Sequence, residues 1–116
     1  MNGAVPREQA VSRRFARYPM DVRIVVHVHR ATGVTSFWGR TSELGEDGLG
    51  ATLTGEIERG EAVTIEFALP LAAHPLKFRA LVRYRTGLRH GLEFLTLTEE
   101  QHQTIERVCR LLANTQ

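Results

Sequence analysis

Three arginines within five residues, Arg13, Arg14 and Arg17 in Ser12-Arg13-Arg14-Phe15-Ala16-Arg17-Tyr18-Pro19, are the side chains of this sequence best suited to binding chemistry. Each guanidinium presents a planar fork of N–H donors that matches planar or anionic groups. Set in a segment too polar to enter a core, the three form a gripper for such a ligand; the same composition also describes a solvated basic tail. A second polar stretch, Gly39-Arg40-Thr41-Ser42-Glu43-Leu44-Gly45-Glu46-Asp47-Gly48-Leu49-Gly50, stands where a hairpin turn can face the arginines.

Other clusters carry less. His27 and His29 alternate onto one face of a strand and can hold a metal only with a third ligand, which no motif supplies. Phe37 and Trp38 offer a stacking platform for a base, but alternation sends at least one of them to the core or to hairpin packing. Arg79, Arg83 and Arg85 make a basic stripe, either a second anionic contact or a solvated face. No motif pairs a nucleophile with a base, so no enzyme is expected. The single cysteine, Cys109, excludes an intrachain disulfide and reads as a small apolar helix residue.

The elements that must position these residues follow from patterning. The 116 residues suit one domain with a modest core. No apolar run approaches the roughly 20 residues of a membrane span, and Met1 to Arg7 lack the apolar segment of a secretory signal. A soluble cytoplasmic protein is expected. The net charge of +2 hides an asymmetry. Residues 1–40 hold seven arginines against Glu8 and Asp21, while the remainder is net acidic, which favours a compact anionic ligand over a long polyanion and argues against nucleic acid.

Residues 1–11 lack periodicity and are expected to be a flexible tail, leaving 12–116 as one domain. Pro19 biases Tyr18 toward an extended conformation and delivers the chain into a strand. Val22, Ile24, Val26 and Val28 then alternate with Arg23, Val25, His27 and His29. Val34 to Thr41 returns after a turn at Ala31-Thr32-Gly33, and Glu46-Asp47-Gly48 reads as a tight connection tolerant of positive φ. Strands follow at Leu49 to Leu53, at Ala62 to Leu69, at Leu76 to Tyr84 and at His90 to Leu95. Thr98-Glu99-Glu100-Gln101 forms a capping box for a helix over 98–113, with Ile105, Val108, Leu111 and Leu112 inward and Arg107 and Arg110 toward its end. The expected fold is mainly β, a six-stranded antiparallel β-barrel with a C-terminal α-helix.

These residues resemble the PilZ domain family. Arg13 and Arg17 match its R-x-x-x-R motif, with Arg14 as an extra arginine. Its second motif, [D/N]-x-S-x-x-G, aligns with Glu43, Gly45 and Gly48, with 25 residues, Tyr18 to Ser42, between Arg17 and Glu43. Arg17-Tyr18-Pro19, Gly39-Arg40-Thr41, Gly48-Leu49 and Gly91-Leu92-Glu93-Phe94 extend the likeness over nearly the whole chain. The family's barrel agrees with the strand count. The resemblance implies binding of cyclic di-GMP, without a cofactor, through Arg13, Arg14, Arg17, Glu43, Gly45 and Gly48, and relay of the signal to an unidentified downstream protein partner, with no membrane contact.

The second motif departs from the family: Glu43 stands for Asp or Asn, and Gly45, for Ser, offers no hydroxyl. A second register, Arg40-x-Ser42-x-x-Gly45, restores the Ser and Gly but puts arginine in the acid's place. The first register is preferred because Gly48 leads directly into the next strand. The alternative function is a degenerate PilZ domain that binds no nucleotide and serves as a protein-interaction module.

Overall fold

The alternation of Ile24, Val26 and Val28 with Val25, His27 and His29 makes one face of a strand apolar, and that face has to be covered. In the computed structural model, which describes residues 15–69 and 73–115, these residues form β2 (Arg23–Arg30), with the first set at most 1% exposed. The other strands are β1 (Tyr18–Pro19), β3 (Gly33–Leu44), β4 (Gly48–Leu53), β5 (Ala62–Phe67), β6 (Leu76–Thr86) and β7 (Arg89–Phe94). The expected tail, residues 1–11, lies outside the described residues.

All pairings are antiparallel, in the order β1-β3-β2-β5-β6-β7-β4. A further β3–β4 ladder joins the ends, so the six longer strands close into a barrel as expected. Closure removes the open edges that an equivalent flat sheet would expose.

The barrel interior is filled by residues of the six longer strands. Val63, Ile65 and Phe67 of β5 continue into buried Leu69. Phe78 of β6 meets Phe67 and Phe94 edge-on at centroid separations of 5.6 Å and 5.2 Å, an arrangement that suits the ring quadrupoles. In the strand expected over Leu76 to Tyr84, inward alternation ends at Val82, because the β6–β7 register shifts between Val82 and Tyr84 and turns the tyrosine outward.

Helix α1 (Glu99–Asn114) starts at the expected capping box. Thr98 accepts from the Gln101 backbone N–H at 3.1 Å while the Gln101 side chain accepts from Thr98 N–H at 3.0 Å. Ile105, Val108 and Cys109 enter the core, and Leu112 packs against it. Two helix expectations fail. Leu111 faces out, displaced from the apolar stripe by Cys109 two positions earlier, and the helix runs far enough that its last turn holds no basic residue. Among the described residues no helix is long and apolar enough to cross a membrane.

Candidate functional site

The arginine segment is tied to the second motif by backbone pairing. In β1, Tyr18 stands opposite Leu44 and Pro19 opposite Glu43. Met20 N–H donates to Ser42 O at 3.1 Å, and Thr41 N–H to Val22 O at 2.8 Å. Thr41, buried, completes the join: its hydroxyl donates to Met20 O at 2.6 Å and accepts from Val22 N–H at 2.9 Å.

The β3–β4 register shifts between Thr41 and Glu43, placing a bulge at Ser42 that re-aims the following carboxylate. The chain then turns between β3 and β4, with Gly45 N–H donating to Gly48 O at 2.8 Å, and Phe94 N–H anchors the turn through Asp47 O at 2.9 Å. Neither Gly45 nor Gly48 adopts positive φ, so the expectation of a left-handed turn residue here is not met. Gly48 is required for another reason. A Cβ there would collide with the backbone carbonyl of Leu92, and only glycine lets β4 lie this close to β7.

Arg17 lies across this turn. Its Nη1 is 3.3 Å from Glu43 Oε2 and its Nε 3.5 Å from Asp47 Oδ1. The side chain is only 12% exposed, which overturns the picture of Arg17 as an exposed lead-in residue. Glu46, beside it, stands 4.0 Å from His102 of α1, so the helix flanks the turn. Cys109 is close enough to feel Glu46, Arg17 and Asp47, but burial first, and Glu46 next, push its thiol up to about 11, leaving it protonated and inert near neutral pH.

The structure thus brings together Arg17, Glu43, Gly45 and Gly48; Arg13 and Arg14 lie outside the described residues. Sequence reasoning treated Asp47 only as a turn residue and missed its pairing with Arg17. The Asp47-Gly48 turn and the carboxylate spacing were the available signal. The second register loses its arginine to another partner, since Arg40 Nε donates to Asp21 Oδ1 at 2.6 Å.

The remaining candidates resolve by packing. Phe37 packs against the core, whereas Trp38 is 55% exposed. The basic stripe is largely paired, Arg83 with Glu93 and Arg85 with Glu56 and Glu58. On the outer face of β2, His27 joins Ser36 Oγ through Nδ1 at 2.7 Å and Glu66 Oε1 through Nε2 at 2.8 Å. This hydroxyl–imidazole–carboxylate chain corrects the reading that nothing pairs a nucleophile with a base; long sequence separation had hidden it. It bridges β3, β2 and β5 as a cross-strand contact, and the hydrogen bond from His27 holds Glu66 below the usual carboxylate range. Among the described residues, no three or more His, Cys, Asp or Glu gather to hold a metal.

Comparison with known proteins agrees with this fold. No curated protein matches the sequence. Among solved structures, the chain is similar to the "PilZ domain with c-di-GMP of YcgR from Escherichia coli", with 17% identity, a TM-score of 0.68, and coverage of 89% of this chain and 92% of that one. It is also similar to the Bacillus subtilis inhibitor of motility (MotI/DgrA), with 15% identity and a TM-score of 0.71, covering 88% of this chain and 52% of that one. The PilZ domain of CeSA from a cellulose-synthesizing bacterium matches with 19% identity and a TM-score of 0.62, over 86% of this chain and 97% of that one. At these identities the likeness speaks for the fold. The family model of the PilZ domain matches residues 12–111, and the chain belongs to the PilZ domain family.

Proposed function

We propose that this chain is a receptor, not an enzyme, for cyclic di-GMP, binding it between the arginine segment Arg13, Arg14 and Arg17 and the turn bearing Glu43, Gly45 and Gly48. The observation that carries the reading is the meeting of Arg17 with the Glu43–Gly48 turn across 26 residues of sequence. Family membership supports it, as does the presence of cyclic di-GMP in the similar YcgR domain. A guanidinium can clamp a phosphodiester or pair with guanine O6 and N7. The turn, rich in carboxylates, suits the donor edge of the base.

Binding would change the surface around β1 and α1, where a downstream protein can read the difference. The nucleotide-free interaction module remains the second reading because Gly45 lacks the family hydroxyl and Arg17 is already engaged by two carboxylates. Titration calorimetry of the full chain with cyclic di-GMP, with GTP and a short DNA as controls, tests the choice. Selective, saturable heat with the cyclic dinucleotide is expected. Absence of binding at millimolar ligand by a folded chain would leave the interaction-module reading.

A further inference from the structure

Closure does not reach the whole of β3. The β3–β4 ladder begins at Gly39, whereas β3 itself begins at Gly33 and pairs over its first residues with β2 alone. The backbone of Trp38 shows which groups face the open side: its C=O accepts from Thr54 N–H at 2.8 Å and its N–H donates to Thr54 Oγ1 at 3.2 Å, both on the side of β4. These directions alternate along a strand, so Ser36 and Val34 turn their N–H and C=O the same way, past the end of β4. Among the described residues no hydrogen bond meets them there.

An edge of this kind is a template for another strand, and proteins ordinarily blunt it with charge, proline or a bulge. Residues 33–38, Gly-Val-Thr-Ser-Phe-Trp, contain neither charge nor proline. The bulge of β3 lies further along, at Ser42. The outer face of the same edge carries Val34, 58% exposed, and Trp38, 55% exposed, more than any other large apolar side chain among the described residues. Free backbone groups and uncovered apolar side chains thus coincide on one short length of strand.

We propose that this edge joins two copies of the chain, by antiparallel pairing about a two-fold axis through Thr35. The axis sets Val34 of each copy opposite Ser36 of the other, and residues so placed exchange both N–H···O bonds. Thr35 meets its own equivalent, a favourable cross-strand pair. On the outer face, Val34 lies diagonal to Val34 and Trp38 of the second copy, within reach of an aromatic side chain, so the uncovered apolar groups of both copies cluster. Self-complementarity selects a second copy over a foreign strand: the edge offers no charge for a foreign strand to match, and the axis satisfies each free group with an equivalent one. The Ser36 hydroxyl is held by His27 on the outer face and leaves the edge clear. The turn that follows Leu44 lies at the opposite end of β3, so this pairing is independent of the nucleotide reading.

The test uses the full chain without nucleotide, followed by sedimentation velocity as protein is raised from about 1 μM to about 1 mM. The parent should pass from monomer to dimer, and the exchange of the Val34 and Ser36 amides should slow as the dimer forms. Val34→Lys, which sets like charges close together on the paired edges, should raise the dimer dissociation constant about tenfold or more. Ser36→Pro should do the same, because it deletes an edge donor while the β2–β3 bonds come from the neighbouring residues. Leu111→Lys, at an exposed apolar residue of α1, should leave dimerisation unchanged. A parent that stays monomeric throughout overturns the proposal, as does a dimer that neither edge variant weakens. Val34 and Ser36 amides equally protected at every concentration overturn it too, since the edge would then be covered within one chain.

Discussion

Gly45 and Arg17 share one space. A Cβ at Gly45 would lie 2.6 Å from Arg17 Cδ and 2.8 Å from its Nε, so the arginine stem fills the volume that a side chain at position 45 needs. The glycine that replaces the family serine is therefore what lets Arg17 lie down between Glu43 and Asp47.

Gly45→Ser should lift Arg17 out of this position. The turn has no positive φ at Gly45, so serine meets the movable Arg17 side chain, and the Ala16 carbonyl at 3.0 Å, rather than a forbidden conformation. Loss of the partly buried ion pairs should lower stability by about 1 kcal/mol. Affinity for cyclic di-GMP should rise by up to about tenfold, as the turn regains a hydroxyl and Arg17 is freed. Calorimetry and thermal melting on the same variant check both; a stable variant with weaker binding would contradict the shared-space account.

Arg17→Ala removes a guanidinium that two carboxylates face at 3.3 Å and 3.5 Å. Removing these two contacts should cost about 1 to 3 kcal/mol, read as a shift in the urea midpoint, besides weakening the ligand. An unchanged midpoint would mean the pairs contribute nothing to the fold.

His90 should make stability pH-dependent. Its ring is fully buried, with Nδ1–H donating to Leu88 O at 2.8 Å and Nε2 accepting from Ile57 N–H at 3.0 Å. Burial holds its pKa below the usual histidine range, and the Leu88 carbonyl only partly opposes this. The fold thus favours the neutral ring: the stabilisation is full above about pH 6.5, the unfolded value, and is lost as pH falls through the lower folded value. Melting temperature should drop as pH falls below about 6.5, and His90→Gln should flatten that slope. Parallel slopes for parent and variant would assign the pH dependence elsewhere.

Gly48→Ala drives a methyl into the Leu92 carbonyl, a backbone atom that cannot move without opening the β4–β7 ladder. A loss of about 1 to 3 kcal/mol is expected, whereas Gly50→Ala, whose neighbours are the Ser42 and Glu43 side chains, should cost less. Chemical denaturation of the pair provides the comparison.

Alternation and turn signals together placed the six barrel strands. Val63, Ile65, Phe67 and Leu69, or Ile24, Val26 and Val28, can bury one face only as strands, and Thr98 with Gln101 marks a helix start by local hydrogen bonding. The resemblance to the family's two motifs likewise joined Arg17 to Glu43, Gly45 and Gly48. Local periodicity says nothing, however, about where it is interrupted. The register shifts at Ser42 and after Val82 are set by how two strands meet, and they decided that Tyr84 faces outward and that Glu43 turns toward Arg17. Arg17 looked exposed because a guanidinium in a polar segment ordinarily is. It is buried because β1 pairs with the end of β3, Gly45 leaves room for its stem, and Asp47 adds a second carboxylate, three contributions from separated positions that only barrel closure brings into contact.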